Sequence, residues 1–308
     1  MEYLFERISK STLHHLVYLY KETFNAAADM VFFEQKFRTD YTGASYIGYI
    51  AFDDKKNPAA YYGVFPQIAE IYSKKVLCAQ SGDTMTHPKH QGNGLFIKLA
   101  KLTYELAEKE GVKFVFGFPN NNSYPGFAKK LDWTFNEKIN KIEIKVATLP
   151  LAKIAKKLPF LNPLYKFYCQ LFIGKKVVDK TKFSNFKKDA NSLDFTNEYL
   201  NYKQYFEHYY LAEKDWQIVF KIDGLLWIGL LDFKDEQQLL LITNKLKWLC
   251  FFLGIDKIIY LASPRNYTLN ILSKIQKPVE HYSIGFLNFD KEIDASSMNY
   301  TSFDIDTF

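Results

Sequence analysis

The sequence predicts an α/β protein with a mixed central sheet flanked by helices, and three observations predict it. Short apolar runs such as SYIGYIAF (45–52), AAYYGVF (59–65) and KFVFGF (113–118) have strand length and β-rich composition. Between two such runs lies one long amphipathic segment, 94–111. The resulting order of strand, long helix, strand, helix and strand is that of the α/β class.

Taken in order, residues 11–24 carry Leu13, Leu16, Leu19, Tyr20 and Phe24 at helical spacing, with Ser11 or Thr12 as the cap. Ser45–Phe52 and Ala59–Phe65 flank the polar turn Asp53 to Pro58 and read as a hairpin. Val76–Asp83 is a further strand. Gly94 to Gly111 is the clearest helix. Leu95, Leu99, Leu102 and Leu106 form one stripe, Glu105 and Lys109 make a favourable i,i+4 pair, and Gly111 is the C-terminal stop. Lys113–Phe118 is a short buried strand, a helix runs to about Leu131, and Ile139–Lys145 alternates as a strand. In the second half Trp216–Ile222 and Leu225–Phe233 form a hairpin around Asp223-Gly224. Glu236 to Leu253 is a helix closed by Gly254, Lys257–Ala262 is a strand, and His281–Phe289 is another.

The 308 residues are comfortable for two units, and 48% apolar with 24% charged residues marks an ordinary folded chain. The net charge of +6 suits an anionic ligand but is too weak to argue for nucleic acid. Cys78, Cys169 and Cys250 are isolated, and the histidines lack ligand spacing, so neither a disulfide framework nor a metal site is expected. The N-terminal MEYLFERISK has no signal-peptide pattern and no run reaches the length of a membrane span, which points to a cytoplasmic protein. The expected units are 1–148, a connecting arm 149–188, and 189–308. The arm is basic and apolar (LPLAKIAKKLPFLNPLYKFY), then basic and polar (GKKVVDKTKF). It reads as a packed linker of one or two helices or as a weak membrane-surface contact. EGVKFVFGFPN (110–120) and LGIDKIIYLASPRN (253–266) repeat one succession of helix stop, short strand, Pro and Asn, so an internal duplication is expected.

The segment that carries chemistry is SGDTMTHPKHQGNGLF (81–96), between a strand and the best helix. A glycine-containing turn there leaves backbone N–H groups facing outward at a helix N-terminus, an end with partial positive charge and unsatisfied donors. A dinucleotide-binding loop would need GxGxxG and a phosphate-binding P-loop GxxxxGK followed by Ser or Thr; neither is present.

HPKHQGNGLF (87–96) resembles motif A of the GNAT acyltransferases, with Gln91, Gly94 and Phe96 at its core positions. Phe96 replaces the small residue usual there. GFPNNNSYPGFAKKLDW (117–133) resembles the next strand and short helix of that family, with Asp132 in place of a Gly. The resemblance covers about 45–146 well and 216–290 only weakly, as a decayed second copy. It implies a GNAT fold in which Val76–Asp83 and Lys113–Phe118 are parallel strands that splay apart. It also implies acetyl-CoA, or another acyl-CoA, as co-substrate, with its pyrophosphate on Gln91, Gly92, Asn93, Gly94, Leu95 and Phe96. Chemistry would be direct attack of an amine on the thioester.

Among site residues, Tyr124 is the candidate acid for the departing thiolate, Asp83 the candidate base, and His87 an alternative proton shuttle. Asn120 is a candidate for holding the pantetheine arm or the acceptor. Each has a plain structural alternative: packing for Tyr124, a capping or turn role for Asp83, a positional role before Pro88 for His87, helix capping for Asn120. Lys234, Asp235 and Glu236 replace the glycine loop in the second half, and their acids would repel a pyrophosphate, so one active site is expected. The leading reading is an N-acetyltransferase acting on a small amine such as an amino sugar. The rivals are a Fem-like aminoacyl or peptidyl transferase and a non-catalytic acyl-CoA-binding protein.

Overall fold

The computed structural model describes residues 2–174, 189–213 and 215–308. The first half begins with β1 (Leu4–Arg7), α1 (Leu13–Phe24) and α2 (Met30–Lys36), then a meander of β2 (Ile47–Phe52), β3 (Pro58–Ile71) and β4 (Lys74–Thr86). There follow α3 (Leu95–Lys109), β5 (Phe114–Gly117), α4 (Tyr124–Lys130) and β6 (Thr134–Lys145). The arm contributes α5 (Leu151–Lys157) and α6 (Asn162–Ile173); its polar part, 175–188, lies outside the described residues. The second half holds β7 (Ser192–Leu193), α7 (Asn197–Tyr202), β8 (Tyr209–Glu213), β9 (Trp216–Ile222) and β10 (Leu226–Phe233). It closes with α8 (Glu236–Leu253), β11 (Lys257–Ala262), α9 (Tyr267–Leu272) and β12 (Val279–Asn288).

One sheet runs through both halves in the order β1-β2-β3-β4-β5-β12-β6-β11-β10-β9-β8, with β7 beside β3. Among the described residues two pairs are parallel, β4 with β5 and β10 with β11. The halves exchange their last strands. β6 leaves the first half to pair with β11, and β12 returns to pair with β5, while β6 and β12 pair with each other.

Helices cover both faces of the first half. Leu95, Leu99, Ala100, Thr103 and Ala107 of α3 are buried against the sheet, with Val115, Phe127 and Trp133 completing that layer. Burial of each large apolar side chain here contributes roughly 1.5–3 kcal/mol. On the opposite face Leu13, Leu16 and Leu19 of α1 and Phe33 of α2 enclose Phe65 and Met85 together with the C-terminal Phe303 and Phe308. In the second half α8 buries Leu239, Ile242, Leu246, Cys250 and Leu253.

Several elements differ from the sequence expectation. β3 and β4 extend well past the runs 59–65 and 76–83 and are joined by Tyr72 and Ser73, both at positive φ (48° and 63°). Two left-handed residues make the turn type that matches the twist of a hairpin, but it is usually signalled by Asn-Gly or Asp-Gly. β1, α2 and β8 are too short to show a period.

Candidate active site

The parallel pair β4–β5 registers Ala79↔Val115 and Gln80↔Phe116, and the Lys113 N–H just before β5 donates to the Leu77 carbonyl at 2.8 Å. Beyond those residues β4 stays with β3, through Ser81↔Val64 and Gly82↔Gly63, while β5 stays with β12, through Gly117↔Gly285. The strands therefore part at Ser81 and Gly117. A bulge sharpens the divergence. The β3–β4 register passes from Gly63↔Gly82 to Tyr61↔Met85, so Asp83 and Thr84 stand opposite Tyr62 alone, and Asp83 takes φ +49°. A bulge of this kind turns the strand and re-aims its side chains.

The parting opens a cleft of ≈ 440 Å³, lined by Ser81 to Thr84 on one side and by Gly117 to Asn120 on the other. Ile305, Asp306 and Thr307 of the C-terminal segment reach into it. Two glycines sit at close approaches. A Cβ on Gly82 would sit 2.5 Å from Oδ2 of Asp306, and one on Gly117 would sit 3.3 Å from the Ser81 carbonyl and from Trp133.

A charged cluster lies at the inner wall. Lys36 Nζ is 2.6 Å from Asp83 Oδ2 and 3.5 Å from Asp306 Oδ2. Lys36 is almost wholly buried, and its ammonium also faces the rings of Phe32, Phe65 and Tyr205. Burial works to lower the lysine's pKa, but Asp83 and Asp306 overcome it, so it stands above its ordinary value. Burial raises the Asp83 carboxyl above the usual carboxylate range, against the pull of Lys36. Asp306 is the more exposed acid, with 17% of its side chain accessible against 9% for Asp83. When both carboxylates are ionised the three groups carry one net negative charge. Nearby, Trp133 Nε1 donates to the Tyr104 hydroxyl, which is 2.8 Å from the Tyr62 hydroxyl, itself 2.8 Å from Ser81 Oγ. This chain fixes the Ser81 hydroxyl at the cleft wall.

The loop between β4 and α3 is open. Gly92 and Gly94 have φ +82° and +71°, and nothing stands within 4 Å of where their Cβ atoms would be. Their role is backbone conformation, which glycine reaches at no steric cost. No side chain caps α3, so the donors of its first turn face outward. Asn93 Nδ2 donates to the carbonyl of His90 and braces the turn from within. Leu95 is buried, and Phe96 packs on Phe127 and Tyr62, with ring centroids 5.1 Å and 5.8 Å away. The bulky residue at 96 is matched by Gly126 on α4, whose Cβ would lie 2.5 Å from the Phe96 ring.

The structure brings Asp83 and Asn120 together in the cleft, while Tyr124 and His87 stand outside its lining. Asn120 Oδ1 accepts from the N–H groups of Asn122 and Ser123 at 2.9 and 3.1 Å and so shapes the turn into α4. Tyr124 opens α4 with its ring against Phe135, centroids 4.5 Å apart. His87 is buried, its Nδ1 accepts from the Lys89 N–H at 3.1 Å, and its Nε2 is 3.3 Å from the Tyr18 hydroxyl. Burial lowers its pKa, so it is neutral at pH 7 and serves as the cap of the following turn. Sequence reasoning missed Lys36, Ser81 and Asp306 at this site. Lys36 and Asp306 lie far from the motif in sequence, on a short helix and in a C-terminal tail that carry no pattern. Ser81 lies inside the quoted segment, but alternation along the strand would set it on the same face as Asp83, whereas Ser81 turns to Tyr62 on the α3 side and the bulge turns Asp83 to Lys36 on the other.

A second cavity, ≈ 250 Å³, lies at the topologically matching place between β10 and β11, lined among others by Leu230, Tyr260, Asn266 and Thr301. The β9–β10 register skips at Gly229, as the β3–β4 register skips after Gly82. Here only Lys234 and Asp235 separate β10 from α8. Asp235 caps that helix by accepting from the Gln238 N–H at 2.9 Å, so the helix end is already occupied by an acid.

Residues 5–135 match the family model described as an acetyltransferase (GNAT) domain. No curated protein matches the sequence. Among solved structures, the chain is similar to a GCN5-related N-acetyltransferase from Kribbella flavida, with a TM-score of 0.58 at 11% identity, over 94% of this chain and 72% of that one. A GCN5-related N-acetyltransferase from Anabaena variabilis gives a TM-score of 0.55 at 12% identity, over 92% and 72%. Saccharomyces cerevisiae N-myristoyltransferase with bound myristoyl-CoA gives 0.53 at 10% identity, over 94% and 79%. At such identities the likeness is one of fold, and it extends over both halves of the chain.

Proposed function

We propose that this chain, whose residues 5–135 form a GNAT acetyltransferase domain, is an acyl-CoA-dependent N-acyltransferase that acetylates the amine of a small acceptor. The observation that carries the reading is the junction of two features. An uncapped helix start with two left-handed glycines stands beside a cleft opened by a parting parallel pair. The first suits the pyrophosphate of a coenzyme A ester, held on the backbone of Gln91 to Phe96. The second suits its thioester arm, with Asn120 on the wall.

In the proposed reaction the neutral amine nitrogen attacks the thioester carbonyl carbon. The C–N bond forms, the C–S bond breaks, and the thiolate takes a proton to leave as free thiol. Asp83 and Asp306 are the groups able to receive the acceptor's proton. Lys36 holds both in place, and the net negative charge of the three favours an ammonium in the cleft. Asp306 is the more accessible and faces the amine, with Asp83 behind it. Tyr124 is the proposed proton donor to sulfur, which requires its hydroxyl to turn toward the cleft once the thioester is bound. The rim of Ser81, Thr84, Asn120, Ser123 and Thr307 offers hydroxyls and amides to a polar acceptor such as an amino sugar. The second half is proposed to be a GNAT-like repeat. It keeps the parallel pair and the bulge but, with Asp235 as cap, does not bind the coenzyme.

The test is a thermal-shift measurement with acetyl-CoA, followed by an acceptor panel of amino sugars and other primary amines read out by free thiol. No stabilisation by acetyl-CoA would refute the coenzyme assignment. Stabilisation without thiol release from any amine would leave the non-catalytic acyl-CoA-binding protein in its place.

A further inference from the structure

The arm between the halves and the end of α8 form one exposed apolar cap. The arm is fixed there by hydroxyls that satisfy the last carbonyls of α8. Thr148 Oγ1 donates to the Phe251 carbonyl at 2.9 Å, Tyr168 to that of Phe252 at 2.7 Å and Tyr165 to that of Leu253 at 3.0 Å. The Phe251 carbonyl also accepts from the Gly254 N–H at 3.3 Å, whereas the last carbonyls of a helix have no partner within the helix itself. The inner side of the arm is buried through Ala152, Ala155, Cys169 and Ile173. Its outer side is apolar as well. Leu164, Phe167 and Leu171 follow helical spacing along α6 and are 67%, 57% and 62% exposed. Trp248, Phe251 and Phe252 of α8 continue the surface, joined to α6 by the stack of Phe172 on Phe252 at 5.8 Å. A contiguous exposed aromatic surface of this kind marks an interaction site, since single exposed apolar residues need no explanation but a continuous field does.

We infer that this cap is a membrane-surface contact, in which the outer faces of α6 and the end of α8 lie in the lipid headgroup region. Charge decides for lipid over a second copy of the chain. Residues 149–174 contain Lys153, Lys156, Lys157 and Lys166 and no acidic residue. Asp256, Asp223 and Glu207 hold three of these lysines at the rim, while Lys157 has no ion pair among the described residues. Each face therefore keeps one positive charge in excess, Lys157, which a second copy would repel and an anionic surface would attract. An anionic headgroup layer complements the lysines while the Trp and Phe rings enter the interface. No helix among the described residues is long and apolar enough to cross a membrane, so the contact is in the plane of the surface. It lies apart from the cleft and does not depend on the reaction proposed there.

The experiment is co-sedimentation of the full chain with vesicles of phosphatidylcholine alone and of phosphatidylcholine mixed with phosphatidylglycerol. The wild type should bind both, the mixed vesicles severalfold more tightly, with that preference lost at high salt. Phe167→Glu and Trp248→Glu replace exposed side chains and should leave the far-ultraviolet circular dichroism and the acetyl-CoA thermal shift unchanged. Each should weaken vesicle binding about tenfold or more, the effect of withdrawing one large apolar side chain from the interface. Absence of wild-type binding to either vesicle overturns the inference. So does a wild-type dimer in sedimentation equilibrium that Trp248→Glu dissociates while vesicle binding stays unchanged.

Discussion

The substitution Gly94→Asp separates stability from binding, because its effects on the two have different physical origins. Gly94 has φ +71° with open space around its missing Cβ, so the new side chain meets no atom of the protein. An ordinary residue in that conformation costs about 1–2 kcal/mol, and aspartate is among those that tolerate it best. A carboxylate at a helix start recovers about 0.3–1 kcal/mol. The free protein should therefore lose little stability. Coenzyme binding is another matter. At about 5 Å and an effective dielectric of about 40–80, a carboxylate and a pyrophosphate carrying two charges repel by roughly 1.7–3.3 kcal/mol. Affinity should drop about 15- to 250-fold.

At a ligand concentration of about 100 times the wild-type Kd, binding stabilises by about 2.7 kcal/mol, and the variant keeps about 0.2–1.2 kcal/mol of it. In Tm this is a decline from roughly 5 °C to roughly 2 °C or less. Gly111→Asp is the control. It sits at the other end of α3 with φ +88° and equally open space, so it carries similar strain, yet it is remote from the proposed pyrophosphate. It should lower the Tm of the free protein and leave the acetyl-CoA shift intact. Equal ligand shifts in wild type and Gly94→Asp would refute the placement of the pyrophosphate on this loop.

Four further outcomes are expected. Asp306→Asn should leave the acetyl-CoA thermal shift unchanged and lower turnover of the best amine by about 10²-fold or more; turnover near wild type would remove Asp306 from the reaction. Tyr124→Phe should do the same with intact coenzyme affinity, and a normal rate would assign Tyr124 to packing on Phe135 alone. Gly126→Ala places a methyl group 2.5 Å from the Phe96 ring, so it should destabilise by about 1–3 kcal/mol, and Phe96→Ala in the same chain should relieve most of it in a double-mutant cycle. His208, against the rings of Phe303 and Phe308, is pushed by burial from 6.5 down to about 3. The unfolded chain therefore takes up the proton first, and the contribution of His208, complete above about pH 6.5, is lost as pH falls toward 3. Urea midpoints measured across that range should decline less steeply in His208→Phe, and equal slopes would exclude this residue.

The sequence shows the local chemistry of the site far better than its assembly. The β4–loop–α3 unit is readable because loop conformation and helix period are both local: Gly92 and Gly94 do take left-handed φ, and Leu95 and Leu99 do face the sheet. The role of Phe96 was not readable, because its partner Gly126 lies on another helix and a lone glycine gives no sign of which ring it accommodates. Nothing in the run MVFFEQK sets Lys36 apart, yet it is buried, because two carboxylates reach it from β4 and from the C-terminal tail. Pro66 signals a break, but β3 continues through it and pairs with β4 at Ala79. Proline needs only a position where its missing N–H is not called for. Tertiary contacts of high sequence separation decide each of these cases, and a single sequence carries no record of them.

The exchange of β6 and β12 links these observations. β5 contributes one wall of the cleft, yet its parallel contact with β4 spans two residue pairs and the Lys113 N–H bond just before them. Its other edge is held by β12 over Phe114↔Asn288 to Gly117↔Gly285. The parting of β4 from β5 therefore depends on a strand from the second half that anchors β5 while β3 anchors β4. The same half supplies Asp306, held over Gly82 by a tail whose Ile305 carbonyl accepts from buried Lys203 at 2.8 Å, with Phe308 in the aromatic core. Burial lowers the Lys203 ammonium to about 7, so near neutral pH the bond can come from the uncharged amine and need not bring a full charge into the core. A second half without a coenzyme loop still has a physical reason to persist. It anchors one wall of the first half's cleft and sets Asp306 in that cleft, where the proposed amine would arrive.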